Sequence, residues 1–167
     1  MPVQCTFTLN NRATSTLVCS GYGTVEAFSG QKRGRDNPAE VATRRIGPIP
    51  RGTYYIVDRQ SGGLLGSLRD SFSPLVGSTD RRKWFMLWNP KTGDMTNIDG
   101  VMRGNFRIHP EGERALSEGC ITLVNPAEFE LLQRFIRRSP PSLPVPGSVL
   151  KAYGTVTVTV TVTVTVK

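Results

Sequence analysis

The only histidine of this chain and one of its three cysteines stand eleven residues apart, in a stretch that opens Asn105-Phe106-Arg107-Ile108-His109-Pro110 and closes Ser117-Glu118-Gly119-Cys120-Ile121-Thr122-Leu123. A thiol is a good nucleophile only as thiolate, and a nearby imidazole can take its proton and hold the anion. One Cys and one His therefore suffice for acyl transfer. Phe106 and Ile108 alternate with Arg107 and His109, which predicts a strand ending at Pro110 with His109 facing away from its apolar neighbours. A second strand-like run begins at Cys120, so the thiol is expected at a mouth rather than in mid-strand. Gly119 lets backbone approach a substrate, and the N–H groups of Gly119 and Cys120 suit the oxyanion of a tetrahedral intermediate. Ser117 is placed to hydrogen-bond the loop or a substrate carbonyl. The bland alternative is a buried free thiol and an incidental histidine.

With these residues the chain resembles the L,D-transpeptidases, whose signature is a His followed, after a loop, by Ser/Thr-His-Gly-Cys and an apolar residue. It resembles more closely the effector branch of that superfamily delivered by bacterial type VI secretion systems, the Tlde type, in which Ser-Glu-Gly-Cys-Ile follows an Arg-(Ile/Leu)-His-Pro strand. Gly47-Pro48-Ile49-Pro50-Arg51-Gly52-Thr53-Tyr54-Tyr55-Ile56 and Arg103-Gly104-Asn105-Phe106 share the resemblance, which runs from about Gly21 to Tyr153. Glu118 stands where the wider signature has a second His, and Thr122 stands where Arg is common after Gly-Cys-Ile. The first leaves His109 as the only base. The second leaves the reader of a substrate carboxylate unassigned.

The resemblance implies a cysteine enzyme working on peptidoglycan tetrapeptide stems as an L,D-carboxypeptidase, an L,D-transpeptidase or both. Cys120 is then the nucleophile and His109 the base, whose second ring nitrogen needs a partner, either a backbone carbonyl or the Glu118 carboxylate. Arg107, two residues before His109 and on the same face, is the expected reader of a substrate carboxylate, with Arg103 in reserve. No metal or cofactor is implied. The expected partners are the stem peptides, a secretion apparatus and a periplasmic immunity protein. A cysteine endopeptidase or amidase cutting wall crosslinks is the second reading, and a basic binding module without catalysis the third.

The elements that must position this pair read as mostly strands. Val3 to Leu9 and Leu17 to Ser20 form a hairpin about Asn10-Asn11-Arg12. Cys5 then lies opposite Cys19, where an antiparallel pair admits a disulfide, although two thiols packed as small apolar groups is the slightly favoured reading. Either way Cys120 is left unpaired. Thr24 to Ser29 is a short strand, and residues 30–45 a long polar loop, either a lid or a mere connection. A stiff Pro-Ile-Pro-Arg-Gly turn enters a strand at Thr53 to Val57 and should order one wall of the site. A short helix is expected over 63–71, and Trp84 to Trp88 should lie in the core. Asn125-Pro126-Ala127-Glu128 signals a helix start, with Phe129, Leu132, Phe135 and Ile136 on one face to about Arg138. The prolines between Ser139 and Gly147 mark an irregular crossing before a strand from Ser148. From Gly154 six Thr-Val pairs alternate to Lys167, of which the first few residues are expected to pair in the sheet and the rest to form an extended edge with no chemistry. The fold class is mainly β, a sandwich or partly closed barrel of the L,D-transpeptidase kind with one long helix, in a single domain over 1–167.

A formal charge of +8 favours a polyanionic partner, the bacterial envelope among them, or simply a solvated basic surface. No helix-turn-helix, zinc spacing or aromatic-interleaved RNA motif supports nucleic acid. No apolar run is long enough to span a membrane, and the N-terminus lacks signal-peptide character. A protein made in the cytoplasm and acting in the periplasm of another bacterium would then need a separate export machine.

Overall fold

A computed structural model describes residues 1–58, 80–113 and 115–162. Eight strands close a barrel: β1 (Val3–Leu9), β2 (Ser15–Cys19), β3 (Gly23–Ser29), β4 (Gly52–Asp58), β5 (Phe85–Trp88), β8 (Arg107–Pro110), β9 (Ile121–Leu123) and β12 (Gly154–Val160). Around the wall they run β1-β12-β4-β5-β8-β9-β3-β2. Two short ribbons stand apart, β6 (Met95–Ile98) with β7 (Val101–Gly104), and β10 (Leu143–Pro144) with β11 (Lys151–Ala152). The mainly β fold is the expected one, but the wall is a closed barrel rather than the expected sandwich or partly closed barrel. Closure leaves none of the eight strands with an unpaired edge.

The closing strand is the Thr-Val tail. As expected for its first residues, it pairs in the sheet: β12 runs parallel to β1 and antiparallel to β4. Its valines face the core, and its threonines pair outward, Thr157 with Thr53 at 3.3 Å and Thr159 with Thr8 at 3.1 Å. A uniform repeat cannot choose its own register. Gly154 chooses it, because it lies opposite Val3 where any Cβ would overlap the Val3 backbone. Residues 163–167, and the helix expected over 63–71, lie outside the described residues.

The hairpin register is the expected one, with Cys5 opposite Cys19. The slight preference for free thiols is corrected, because the two cysteines form a disulfide. Trp84 to Trp88 contributes β5, whose Phe85, Met86 and Leu87 are buried. Two 3-10 turns, Lys32–Gly34 and Pro38–Glu40, give the long polar loop local structure. Asp36, fully buried between them, accepts the Ser29 N–H at 2.9 Å.

The α-helix α1 (Pro126–Ile136) starts as its sequence demands, with Asn125 accepting the Ala127 N–H at 2.9 Å and Pro126 in the first turn. Phe129, Leu132 and Ile136 are buried, each worth roughly 1.5–3 kcal/mol of apolar burial. Beside α1 lie β8 and β9, so the helix backs the two strands that carry the histidine and the cysteine.

The disulfide closes a loop of 14 residues in sequence separation, for which chain-entropy arguments give a stabilisation of about 3 kcal/mol. Replacing both cysteines, Cys5→Ser with Cys19→Ser, should lower the unfolding free energy by about that much in urea titration. The wild type under reductant should match the double variant.

Candidate active site

Parallel pairing of β8 with β9 places Ile108 beside Ile121 and His109 beside Thr122. One step back along both strands, Cys120 stands beside Arg107. Ile108 and Ile121 are fully buried in the barrel core, so Arg107, His109, Cys120 and Thr122 share the opposite face. His109 and Cys120 are diagonal neighbours, one strand spacing of about 4.8 Å across and one two-residue step of about 6.6 Å along. An aromatic ring can cover that diagonal.

His109 is held on three sides. Its Nδ1 lies 2.8 Å from the Pro110 carbonyl, and since a carbonyl only accepts, Nδ1 carries the proton of the neutral ring. Nε2 therefore presents a lone pair, with the Thr122 hydroxyl 3.4 Å away. Trp84 stacks on the ring at 4.4 Å between centroids and 22° between planes. That contact follows from register, since Phe85 pairs with Ile108 and the next antiparallel step brings Trp84 beside His109. Of the two partners expected for the second nitrogen, the backbone carbonyl is the one found; Glu118 is exposed.

Cys120 is partly exposed and unpaired. Its thiol donates to the Asn105 carbonyl at 3.6 Å, and no hydrogen bond joins it to His109 among the described residues. Burial pushes the thiol up to about 11, against the pull of the Arg107 N–H and guanidinium; Glu118 and Asp94 push it up further. Burial also holds His109 below its ordinary value, and the Arg81 charge acts in the same direction, while the Pro110 hydrogen bond opposes them. Both shifts favour the uncharged forms, a neutral thiol and a neutral imidazole.

The loop into Cys120 is clamped by its carbonyls. Arg103 Nη2 donates to the Glu118 carbonyl at 3.0 Å, Ser29 Oγ to that of Gly119 at 3.2 Å, and Ser117 Oγ to that of Cys120 at 2.7 Å. Ser117, itself buried, also accepts the Gly30 N–H at 3.1 Å, so it serves the loop. Arg103 spends its remaining reach on the carbonyls of Val41 at 2.6 Å, Gly47 at 2.8 Å and Pro48 at 2.7 Å. It is thereby corrected from a reserve reader of substrate to a buried tie between the Gly-Pro-Ile-Pro turn and the cysteine loop. Arg107 faces the site side but grips Asp94 through both guanidinium nitrogens, at 2.6 and 3.0 Å.

Sequence reasoning missed Trp84, Asp94, Ser29 and Asp36. Trp84 had a signal, the first aromatic of an apolar run; the other three are common residue types in polar stretches and become visible only through their contacts. Among the described residues no group of three His, Cys, Asp or Glu side chains is placed to hold a metal, and no helix is long and apolar enough to cross a membrane.

The structure defines the class as a closed β-barrel with one helix, in which a histidine of β8 and a free cysteine just before β9 lie diagonal to each other. The Tlde1 domain model matches residues 23–148, and the chain belongs to that family, type VI secretion effectors related to the L,D-transpeptidases. Membership brings a secretion apparatus and an immunity protein as partners, and action in a target cell. No curated protein and no solved structure matches the chain.

Two measurements check the electrostatics. Alkylation of Cys120 by iodoacetamide should climb about tenfold per pH unit from 7 to 10, as expected for a thiol titrating near 11; a plateau already reached at pH 7 would mean a resting ion pair. Asp36, pushed up to about 7 by burial despite the Ser29 hydrogen bond and the Arg35 charge, keeps one carboxylate oxygen without a partner among the described residues. Its folded pKa lies above its unfolded value, so the stability it contributes at low pH is lost as pH rises through about 7. Asp36→Asn keeps the acceptor for Ser29, and its Tm should gain on the wild type between pH 5 and pH 8.

Proposed function

We propose that this protein is a cysteine acyl-transfer enzyme acting on the tetrapeptide stems of peptidoglycan, as an L,D-carboxypeptidase, an L,D-transpeptidase exchanging D-amino acids, or both. The observation that carries the reading is the pairing of β8 with β9, which puts the chain's only histidine and its only unpaired cysteine on one face. Family membership supports the substrate class.

In this mechanism His109 Nε2 takes the Cys120 proton as the sulfur attacks the carbonyl that joins an L-centre to the terminal D-Ala. Because the resting thiol is neutral, proton transfer accompanies attack. The oxyanion forms against the N–H groups of Gly119 and Cys120, neither of which makes a hydrogen bond among the described residues. His109, now protonated, gives its proton to the departing D-Ala amine, leaving a thioester. Water, a free D-amino acid or the amine of a neighbouring stem then attacks that thioester and restores the thiol. The Pro110 carbonyl holds the ring in the tautomer this needs, and Trp84 keeps the ring plane from turning. Arg107 can read a substrate carboxylate by sharing its fork with Asp94. In the wall of a target cell such trimming or exchange removes the stems that crosslinking requires, which makes the protein an antibacterial toxin, met in the periplasm by its immunity protein.

Incubation with purified disaccharide-tetrapeptides, read by mass spectrometry, tests this. Loss of D-Ala, or its replacement by added D-amino acid, is expected; separation of crosslinked dimers without either would assign an endopeptidase instead. Cys120→Ala should lose at least about a thousandfold in turnover, and His109→Gln about a hundredfold or more.

A further inference from the structure

We propose that Ser29 and Arg103 are positioning residues of the acyl-transfer site, fixing from the buried side the two peptide units whose N–H groups receive the oxyanion. This rests on the reading of Cys120 as nucleophile and extends it to residues that touch neither substrate nor sulfur.

In a trans peptide unit the C=O and the N–H point in opposite directions, and the chain has no cis peptide among its described residues. The carbonyl of Glu118 belongs to the same unit as the Gly119 N–H. Arg103 Nη2 holds that carbonyl at 3.0 Å, so the Gly119 N–H points away from Arg103. The carbonyl of Gly119 belongs to the same unit as the Cys120 N–H. Ser29 Oγ holds it at 3.2 Å, so the Cys120 N–H points away from Ser29. Two consecutive donors are thereby turned away from the buried clamps, and neither has an acceptor among the described residues.

Neither clamp can easily adjust. Ser29 is fully buried, and its oxygen accepts the Ile49 N–H at 2.8 Å. Its single hydroxyl proton is then committed to Gly119. Arg103 is 5% exposed and is anchored on its far side by the carbonyls of Val41, Gly47 and Pro48. No carboxylate forms an ion pair with it among the described residues, so the carbonyl oxygens carry most of the compensation of a buried cation, helped at longer range by the Glu118 charge and the Phe106 ring face, an arrangement that costs stability if those oxygens move. The approach also demands glycine at 119: a Cβ there would sit 2.5 Å from Arg103 Nη2 and 2.7 Å from the Phe106 ring, at a φ of +113°. Glycine rotates freely about both its bonds when unheld. Without the two clamps its peptide planes would turn, and a preorganised pair of donors would become a fluctuating one.

A purely structural role is separable from this one by chemistry at the same sulfur. Acyl transfer builds negative charge on a carbonyl oxygen; alkylation by iodoacetamide displaces iodide from a saturated carbon and builds none there. In full-length Ser29→Ala and Arg103→Lys, kcat on disaccharide-tetrapeptides should fall roughly 10- to 100-fold, with KM within about threefold and the iodoacetamide rate at Cys120 within about twofold of wild type. Unchanged kcat in Ser29→Ala overturns the proposal, as does a parallel fall in turnover and alkylation, which marks a displaced sulfur. Should Arg103→Lys not fold, Ser29→Ala, which removes one oxygen, decides the matter alone. Wild-type turnover in Cys120→Ala overturns the nucleophile reading and this proposal together, whereas the outcomes above leave that reading standing.

Discussion

The parallel alignment of β8 and β9 is the constraint on which the site depends. Antiparallel neighbours can be joined by a two-residue turn, but parallel neighbours cannot, and the chain must travel back along the barrel before starting the second strand. Here the return is the polar segment between Pro110 and Ile121, with too few residues to form a covering helix. A segment of that kind has no hydrogen-bond ladder of its own, so its backbone must be satisfied by side chains from elsewhere. Arg103 and Ser29 do so on the carbonyls of Glu118 and Gly119, while Ser117, from within the segment, donates to that of Cys120. The same geometry that obliges the loop to be clamped also delivers Cys120 to the start of β9, diagonal to His109.

Electrostatically, the site is governed by desolvation more than by charge. The chain carries +8 overall, yet the thiol is pushed up and the imidazole down because burial disfavours an ion in either group. Arg107 stands close enough to favour the thiolate, but it is paired with Asp94, whose charge acts the other way. A neutral pair of this kind avoids the cost of a desolvated thiolate–imidazolium pair.

Around the site, the barrel is closed by the least informative part of the sequence. β12 sits between the first strand and β4, and so joins the chain's two ends to the motif-bearing middle. The Cys5–Cys19 disulfide ties β1 to β2 on the other side of that junction. Both devices lie largely outside residues 23–148 that match the family. They support the wall without taking part in the chemistry.

By itself the sequence determined the local events: the His109 strand and its end at Pro110, the strand that follows Cys120, the hairpin that sets Cys5 against Cys19, and the capped helix. Each of these is written within about a dozen residues, where alternation, proline and capping residues act directly on the backbone. Only the tertiary structure decided that the sheet closes, that the Thr-Val tail is a central strand, that the two cysteines are bonded, and that Arg103 serves the loop instead of a substrate. Those outcomes depend on which strands become neighbours and on what a buried donor finds within reach. Trp84 meets His109, and Ser29 meets Gly119, across separations in sequence that no local pattern encodes, because side-chain contacts between strands are fixed by register and not by composition.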